Sequence, residues 1–479
     1  MRSLKTVEDV KQFIEKEAVK IIDFKVVDMK GRWHHLSIPV ERFTKEVMTS
    51  GIGFDGSSYG FLTVEKSDMV FIPDLTTGFL DPFSELRTLV FIANIFRLKD
   101  GQRIRFEDDP RHMADKAEKY LKDRDIADKA LFGPEFEFYV LDHISYTTTT
   151  NHMEVKIDSK QAAWNSSNSD QKNLGLKVQR HGGYHLDAPF DSSYDFRNQT
   201  VRMLEDHGVP VKYHHSENGG PGQVEIEVEF ATLKEMADRT LKLKYMLKNN
   251  AFKNQLTTTF MPKPFVDEAG SGMHIHMHFF NGDKPLFYDK DGYSQLSDMA
   301  LYAIGGILKH AASIMPFTNP STNSYKRLVP GYEAPVSICF GTANRSAVIR
   351  IPGYTTEPDT KRFELRSPDA TANPYLAYTA MLMAAIDGIE NKIDPTKEGF
   401  GPLDINLYKL SDSEREKIKG LPANLIEACD ALEKDHEFLL KGDVFSEVMI
   451  KNQIERLKKE HYYISSLPHP EEFKMYYEL

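Results

Sequence analysis

Cysteine is nearly absent from the 479-residue chain: Cys339 and Cys429 are the only two. Two isolated thiols build no disulfide framework, so the expectation is a reducing, cytoplasmic setting. Zinc is disfavoured as well, because there is no HExxH and no cysteine pair at ligand spacing. Net positive charge is also missing. Acidic residues outnumber basic ones, 71 to 60, for a formal charge of −11. That argues against nucleic acid or an anionic membrane as the main partner. Long apolar runs are lacking too. The most apolar long segment, Tyr375 to Ile389, is too short to span a bilayer and carries Asp387. The N-terminal MRSLKTVEDVKQFIEKE is a charged amphipathic helix pattern, with Thr6 and Asp9 placed for a cap, rather than a signal peptide. Finally, no G-x-x-x-x-G-K-[ST] loop is present. GIGFDG (51–56) matches G-x-G-x-x-G, with Asp74 further on, but a predicted helix precedes it and SSYGFL follows. A dinucleotide site needs a strand before and a helix after.

What is present is a chain larger than one core usually serves, 41% hydrophobic. IIDFKVVDM and RWHHLSIPV, separated by Lys30-Gly31, predict a hairpin. VERFTKEVMTSG reads as a helix ending near Gly51, and RTLVFIANIF as a strand. DDPRHMADKAEKYLKD then opens a new helix with Pro110 in its first turn. A boundary near Arg105 follows: a small α+β module over 1–104 and a larger α+β domain over 105–479. The polar stretch from SYTTTTN to SDQKN reads as a long surface loop. The end of the chain, from SDSEREKIKG onward, reads as mostly helical, interrupted near Pro468 and Pro470.

Four segments pose one question. LFGPEFEFYV alternates Phe136, Phe138 and Val140 with Glu135 and Glu137. GQVEIEVEF places Glu225, Glu227 and Glu229 on one face, SGMHIHMHF places His274, His276 and His278, and KRFELRSPD places Arg362, Glu364 and Arg366. Each segment alone reads as the wet face of a half-buried strand. Together they are unusual, because the fronts carry carboxylate, imidazole and guanidinium and no lysine. If the strands share a sheet, the fronts line one cavity.

Such a lining suits Mg²⁺ or Mn²⁺ on the carboxylates and phosphate or carboxylate groups on the arginines. That combination implies phosphoryl transfer. NSYKRLVPGYEAPV adds Arg327 and Glu333, and ANRSAVIRIP adds Arg345 and Arg350. Arg350 lies inside an apolar strand and should face an anion.

These motifs, in this order, resemble glutamine synthetase of the prokaryotic type I class over nearly the whole chain. The residues that carry the resemblance are FDGSS, FGPEFEF, GGPGQVEIE, MPKP, GSGMHIH, NSYKRLVPGYEAPV, NRSAVIRIP and FELRSPDATANPYL. The resemblance implies ATP-dependent joining of ammonia to the γ-carboxylate of L-glutamate through γ-glutamyl phosphate. It implies two or more Mg²⁺ or Mn²⁺ ions per active site, one on Glu137, Glu217 and Glu225, a second on Glu135, His274 and Glu364. Arg327, Arg366 and Gly270 would hold glutamate. Arg345 and Arg350 would stabilise the transferring phosphoryl group. His276 would stand near the ATP phosphates, and Tyr184 and Phe230 would line the nucleotide pocket. Asp55 would bind ammonium and take its proton, besides suiting an Asx turn before Gly56, and Glu333 would close over the site. Glu227 and Glu229 gain no role and keep the wet-face reading. The implied architecture is a β-grasp-like N-terminal domain before a catalytic domain whose curled antiparallel sheet forms a half-barrel flanked by helices. The implied assembly is a dodecamer of two stacked hexameric rings, with Asp55 donated by the neighbouring subunit and C-terminal helices joining the rings. A γ-glutamyl ligase for a larger amine, such as a polyamine, is the alternative on the same fold. A non-enzymatic descendant is a further rival, and the intact ligand set argues against it.

Overall fold

A computed structural model describes residues 4–62, 67–99, 101–169, 172–329, 334–415 and 417–478, the side chains of 408, 412 and 415 excepted. Helix α1 (Val7–Glu17) starts at a capping box between Thr6 and Asp9. Strands β1 (Ile21–Val27) and β2 (Trp33–Pro39) form the expected antiparallel hairpin. The predicted helix that follows is broken in two. A 3₁₀ turn covers Val40–Arg42, buried Phe43 is extended, and a five-residue α2 (Lys45–Thr49) restarts on the side chain of Thr44. Burial of Phe43 overrides the local periodicity. Strands β3 (Ile52–Asp55), β4 (Asp68–Leu80), β5 (Thr88–Lys99) and β6 (Gln102–Arg105) complete the first sheet, in the order β2-β1-β5-β4-β3 with β6 on β5. Because GIGFDG is itself mostly strand β3, followed by a 3₁₀ turn, it presents no helix N-terminus to a pyrophosphate.

Pro110 occupies the first turn of α3 (Pro110–Asp123), capped by Asp109. Strand β7 (Lys129–Leu141) runs into a hairpin of β8 (His143–Thr149) and β9 (His152–Asp158). The stretch expected as a loop thus contains two strands, whose run of threonines favours extended backbone. Then come α4 (Tyr194–Asp206), β10 (Val211–Ser216), β11 (Gln223–Val228), the short β12 (Ala231–Thr232), α5 (Leu233–Lys253), β13 (Thr257–Thr259), β14 (Met273–Asn281) and the short β15 (Lys284–Pro285). Helices α6 (Asp298–Lys309), α7 (Ala311–Thr318) and α8 (Ser324–Arg327) precede β16 (Ser337–Thr342), β17 (Ala347–Ile351) and β18 (Phe363–Leu365). Helices α9 (Pro374–Glu390), α10 (Asp412–Arg415), α11 (Leu425–Lys434), α12 (Glu437–Leu440), α13 (Glu447–Ser465) and α14 (Pro470–Tyr476) finish the chain.

The second sheet has the order β10-β11-β7-β14-β18-β17-β16. It is an open sheet, and it is mixed rather than wholly antiparallel, because β16 and β17 pair in parallel. The four charged segments are therefore consecutive strands, β11-β7-β14-β18. Their apolar backs (Phe136, Phe138, Val224, Ile226, Met273, Ile275, Phe363, Leu365) join one core with Met236 and Leu243 of α5 and Leu382 of α9. At about 1.5–3 kcal/mol for each fully buried large apolar side chain, this face fixes which side of every strand turns inward. Helix α9, the apolar segment with Asp387, is buried from Pro374 to Gly388. Buried Arg111 ties the first sheet to helix α5. It binds Asp238 of α5 through two bonds of 3.0 and 2.8 Å and Asp74 of β4 at 2.9 Å. Among the described residues no helix is long and apolar enough to cross a membrane.

Candidate active site

Strand register brings the charges together. Glu225 stands opposite Glu137 and Glu227 opposite Glu135. His274 stands opposite Glu135, His276 opposite Glu364, and Arg350 opposite Glu364. The front of the sheet floors a cavity of about 730 Å³. Glu135, Glu137, Glu217, Glu225 and His274 line it, together with Gly270, Arg327, Arg345, Arg350, Arg366 and Tyr184. Most of the predicted site residues therefore share one chamber.

Among the described residues four groups of ligand atoms lie close enough to hold an ion, and two of them take in most of the predicted ligands: Glu135, His274 and Glu364, and His215, Glu217 and Glu225. In the first, His274 Nδ1 is 3.0 Å from Glu135 Oε2 and 3.6 Å from Glu364 Oε1. Glu364 is fully buried and accepts from Arg350 Nε and, at 2.8 Å, from Arg366 Nη1. Burial pushes the Glu364 carboxyl up, but Arg366 and Arg350 hold it below the usual range. Burial likewise raises Glu135, and the imidazoles of His276 and His274 more than offset it. In the second group, His215 Nε2 lies 3.4 Å from Glu225 Oε1 and its Nδ1 3.9 Å from Glu217 Oε1. Glu137 adjoins both groups: its Oε2 accepts from the Gly272 amide at 2.6 Å, and its Oε1 is 3.9 Å from His274 Nε2.

This second cluster lacks enough positive charge of its own. Burial, then Glu137 and Glu225, push Glu217 up to about 8. Burial, then Glu135 and Glu137, raise Glu225 well above the carboxylate range. Carboxylates packed this way stay ionised only beside a cation. The donors, carboxylate oxygen with an imidazole, suit a hard divalent ion. The residues present thus fit divalent metal.

The glycines of GSGMHIH have a steric reason. A Cβ on Gly270 would lie 2.7 Å from Arg327 Cγ, and one on Gly272 would lie 2.9 Å from Arg327 Cζ. The loop is stripped so that the guanidinium can pass behind it. Arg327 Nη1 donates to Ser367 O at 2.8 Å and Pro368 O at 3.2 Å, which fixes the guanidinium at the chamber wall. Arg345 is exposed on the turn between β16 and β17 and reaches the rim. Tyr184 is half exposed and stacks on His185 with ring centres 4.0 Å apart.

Some expectations shift. His276 is fully buried behind Glu135 instead of lining the cavity. Phe230 stands to one side, against His278 at 4.7 Å and under the Arg362 guanidinium at 5.5 Å. Asp55 is remote from this chamber within one chain. Its carboxylate accepts from the Ser57 amide and from the Ser57 and Ser58 hydroxyls at 2.7–2.9 Å, the Asx turn foreseen. Those bonds hold its pKa down to about 2. Glu333 lies outside the described residues. The wet-face reading fails for Glu227, which is fully buried and accepts from Lys212 Nζ at 2.7 Å, whereas Glu229 is exposed as expected. Sequence reading missed His215, Tyr213 and Tyr354, and it placed Arg362 on the charged front without a role. For the first two the signal was present: Tyr213 and His215 alternate on a strand in phase with the glutamates.

A small sheet domain ahead of an open sheet whose charged face can hold divalent ions and anions defines a ligase that activates a carboxylate with a nucleotide. Residues 18–98 match the β-grasp domain of glutamine synthetase, and residues 107–476 match its catalytic domain. The glutamine synthetase of Aquifex aeolicus (strain VF5) is 44% identical over 475 residues, 99% of each chain. That of Frankia alni is 44% identical over 476 residues, 98% of this chain and 99% of its own. Among solved structures, Plasmodium falciparum glutamine synthetase gives a TM-score of 0.89 at 28% identity over 99% of both chains. GmaS in complex with ADP gives 0.81 at 25% identity, over 99% of this chain and 100% of that one. The chain belongs to the glutamine synthetase family.

Proposed function

We infer that this chamber joins ammonia to the γ-carboxylate of L-glutamate, with ATP as the phosphoryl donor, and that its six acidic and imidazole ligands hold two Mg²⁺ or Mn²⁺ ions. Glutamine synthesis is the activity of the family to which the chain belongs. The observation that carries the residue assignment is the register: consecutive strands turn Glu225, Glu135 and Glu137, and His274 into one cavity, with Glu364 buried 3.6 Å from His274 Nδ1 beneath it. Bound divalent ions would neutralise the phosphates and the glutamate oxygens as charge moves.

The chain's own groups supply the rest. Glu137, Glu217 and Glu225 hold one ion, and Glu135, His274 and Glu364 the other. Arg327, Arg366 and the Gly270 backbone orient glutamate. Arg345, free of the core, swings to the transferring phosphoryl group, while Arg350, locked on Glu364, contributes fixed positive charge. Tyr184 and Phe230 border the nucleotide. Asp55 acts in a neighbouring subunit's chamber, since its own chain places it elsewhere. Its ionised carboxylate would attract the ammonium cation and then accept its proton. Glu333 closes the site.

A division close to 104/105 is supported by the separate sheet and hydrophobic cluster of the first module, which run on through Arg105 and Phe106. The assembly we propose is the dodecamer of two stacked hexameric rings that the resemblance implies. The expected setting is cytoplasmic. The test is γ-glutamyl hydroxamate formation with and without Mn²⁺, followed by phosphate release with ammonium and with putrescine as acceptors. Metal-dependent hydroxamate and a preference for ammonium are expected. No hydroxamate would overturn the reading, and a preference for putrescine would move it to the polyamine alternative.

A further inference from the structure

Gln223 opens strand β11 opposite Tyr139 of β7 and is buried in the chamber wall. It precedes Glu225 by two residues and shares its face. Its carboxamide is used at both ends. Oε1 accepts from the Gly219 amide at 2.9 Å, and Nε2 donates to Gly270 O at 3.0 Å and to Ser271 Oγ at 3.2 Å. A backbone N–H only donates and a carbonyl only accepts, so these partners admit one orientation of the group. A carboxylate of the same length could take the Gly219 N–H but would have nothing to give Gly270 O. A thioether has no N–H for either glycine loop.

The two loops joined in this way carry different parts of the chemistry. Gly219 belongs to the loop of Glu217, assigned to an ion, and Gly270 to the loop assigned to glutamate. Other bonds hold the same loops together. The Gly220 amide donates to Glu268 Oε2 at 3.3 Å, and the Tyr139 hydroxyl to Ala269 O at 2.6 Å. A Cβ on Gly219 would overlap the Tyr139 hydroxyl and lie 2.9 Å from Gln223 Cβ, so the first loop seats only because that position has no side chain. The second loop also reaches Glu137, whose Oε2 accepts from the Gly272 amide at 2.6 Å. It therefore rests on two of the three ligands assigned to one ion: on Glu137 directly, and on the Glu217 loop through Gln223. We propose that Gln223 is a positioning residue that couples this ion to glutamate. Filling the ion site fixes the Glu217 loop, the carboxamide passes that order to the Gly270 loop, and glutamate binds more tightly. Partners of metal ligands act in this way, and such coupling is reciprocal. The proposal rests on the reading of Glu217 as an ion ligand and of the Gly270 loop as the seat of glutamate.

The test is the affinity of the full-length protein for radiolabelled L-glutamate by equilibrium dialysis, once in EDTA and once in saturating Mn²⁺, with no nucleotide and no turnover. The ratio of the two affinities is the coupling, and a uniform structural loss cancels from it. In the parent, Mn²⁺ is expected to raise glutamate affinity by about 5–150-fold, the usual range for coupled sites. Gln223→Met keeps the length and removes the donors, and its ratio is expected to fall to about one. Gln223→Glu keeps an acceptor for the Gly219 amide but lacks the donor to Gly270 O. It is expected to lose the coupling as well, and it reads the link even if the methionine variant misfolds. A parental ratio in either folded variant overturns the proposal, even where glutamate binding is weaker in EDTA and Mn²⁺ alike. A parental protein with a ratio of one overturns it too. Glu217→Gln separates the two levels, with free Mn²⁺ followed by electron paramagnetic resonance. If that variant keeps every Mn²⁺ site, the ion reading itself falls; if it loses one while Gln223→Met keeps the parental ratio, only the link falls. A parent that binds no glutamate in either condition takes the glutamate reading with it.

Discussion

Replacing Glu364 by glutamine probes packing and chemistry in one variant. Glu364 is fully buried between Arg350 and Arg366, and His274 Nδ1 is 3.6 Å from its Oε1. Alanine would leave a void with two guanidinium groups facing it, whereas glutamine keeps the shape and removes only the charge. Breaking a buried ion pair by removing one partner costs about 3–5 kcal/mol. The matched catalytic region spans residues 107–476, roughly 370 residues, which at about 2.1 cal/mol/K per residue have an unfolding entropy near 0.8 kcal/mol/K. The thermal midpoint in EDTA should therefore fall by about 4–6 °C. Mn²⁺ at about 100 times its dissociation constant stabilises a binding protein by about 2.7 kcal/mol per site, or roughly 3 °C here. The parent should gain that increment from each of two sites and the variant from one. Hydroxamate formation should fall about 100-fold, the scale for removing one electrostatic stabiliser of a transition state. Calorimetry with and without Mn²⁺, beside the hydroxamate assay, separates these effects. A parental midpoint in EDTA would refute the packing argument. An undiminished Mn²⁺ increment with full activity would refute the ligand assignment.

Three further outcomes are expected. Asp55→Asn should lower kcat/KM for ammonium by about 100-fold while leaving the ATP dissociation constant unchanged, the lower end of what a positioned carboxylate contributes; steady-state kinetics with unaltered ammonium dependence would contradict the neighbour-subunit role. Arg345→Ala should cut single-turnover phosphoryl transfer by about 10³-fold, the scale for a mobile arginine on a transferring phosphate, with an unchanged thermal midpoint because Arg345 is exposed; an unaltered rate rejects it. His310 is buried between Asp387 at 3.0 Å and Asp435 at 2.8 Å. Burial lowers its pKa, but bonds from Asp387 and Asp435 raise it overall. A raised histidine stabilises fully below its unfolded pKa of about 6.5 and loses that effect as pH climbs through the folded value. The midpoint gap between the parent and His310→Gln should thus be wider at pH 6 than at pH 9, and equal gaps would count against it.

Much of the site was legible because strands obey a period of two and the register follows from the core. Once Phe136, Ile226, Ile275 and Leu365 must face α5 and α9, Glu135, Glu225, His274 and Glu364 have one direction left. Elements decided by distant packing were less legible. The helix expected across 40–51 splits because Phe43 is needed in the N-terminal core, and the parallel pairing of β16 with β17 leaves no mark in either strand. Asp55 and Arg345 read clearly as motif residues, yet both sit at turns, where alternation gives a side chain no direction.

Glu227 and Glu229 show where strand alternation ceases to decide burial. They sit two residues apart, share a face by alternation, and carry the same charge, so the sequence gives no reason to treat them differently. In the structure Glu227 is sealed opposite Glu135 with Lys212 bound to it, and Glu229 is exposed. The difference lies in where the strand ends: pairing with β7 runs through Glu227 and stops before Glu229. A carboxylate inside the pairing is walled in by two neighbouring strands and must recruit a cation, here Lys212 from β10. One beyond it keeps its water and needs nothing. The lysine missing from the four charged fronts was therefore supplied by a fifth strand, and the absence that suggested a metal-lined cavity held only for the strands quoted. What still demands divalent ions is the residue of charge left after every local cation is assigned. Lys212 serves Glu227 and the arginines serve Glu364, while Glu217 and Glu225 share the His215 imidazole and Glu137 has the His274 ring 3.9 Å away.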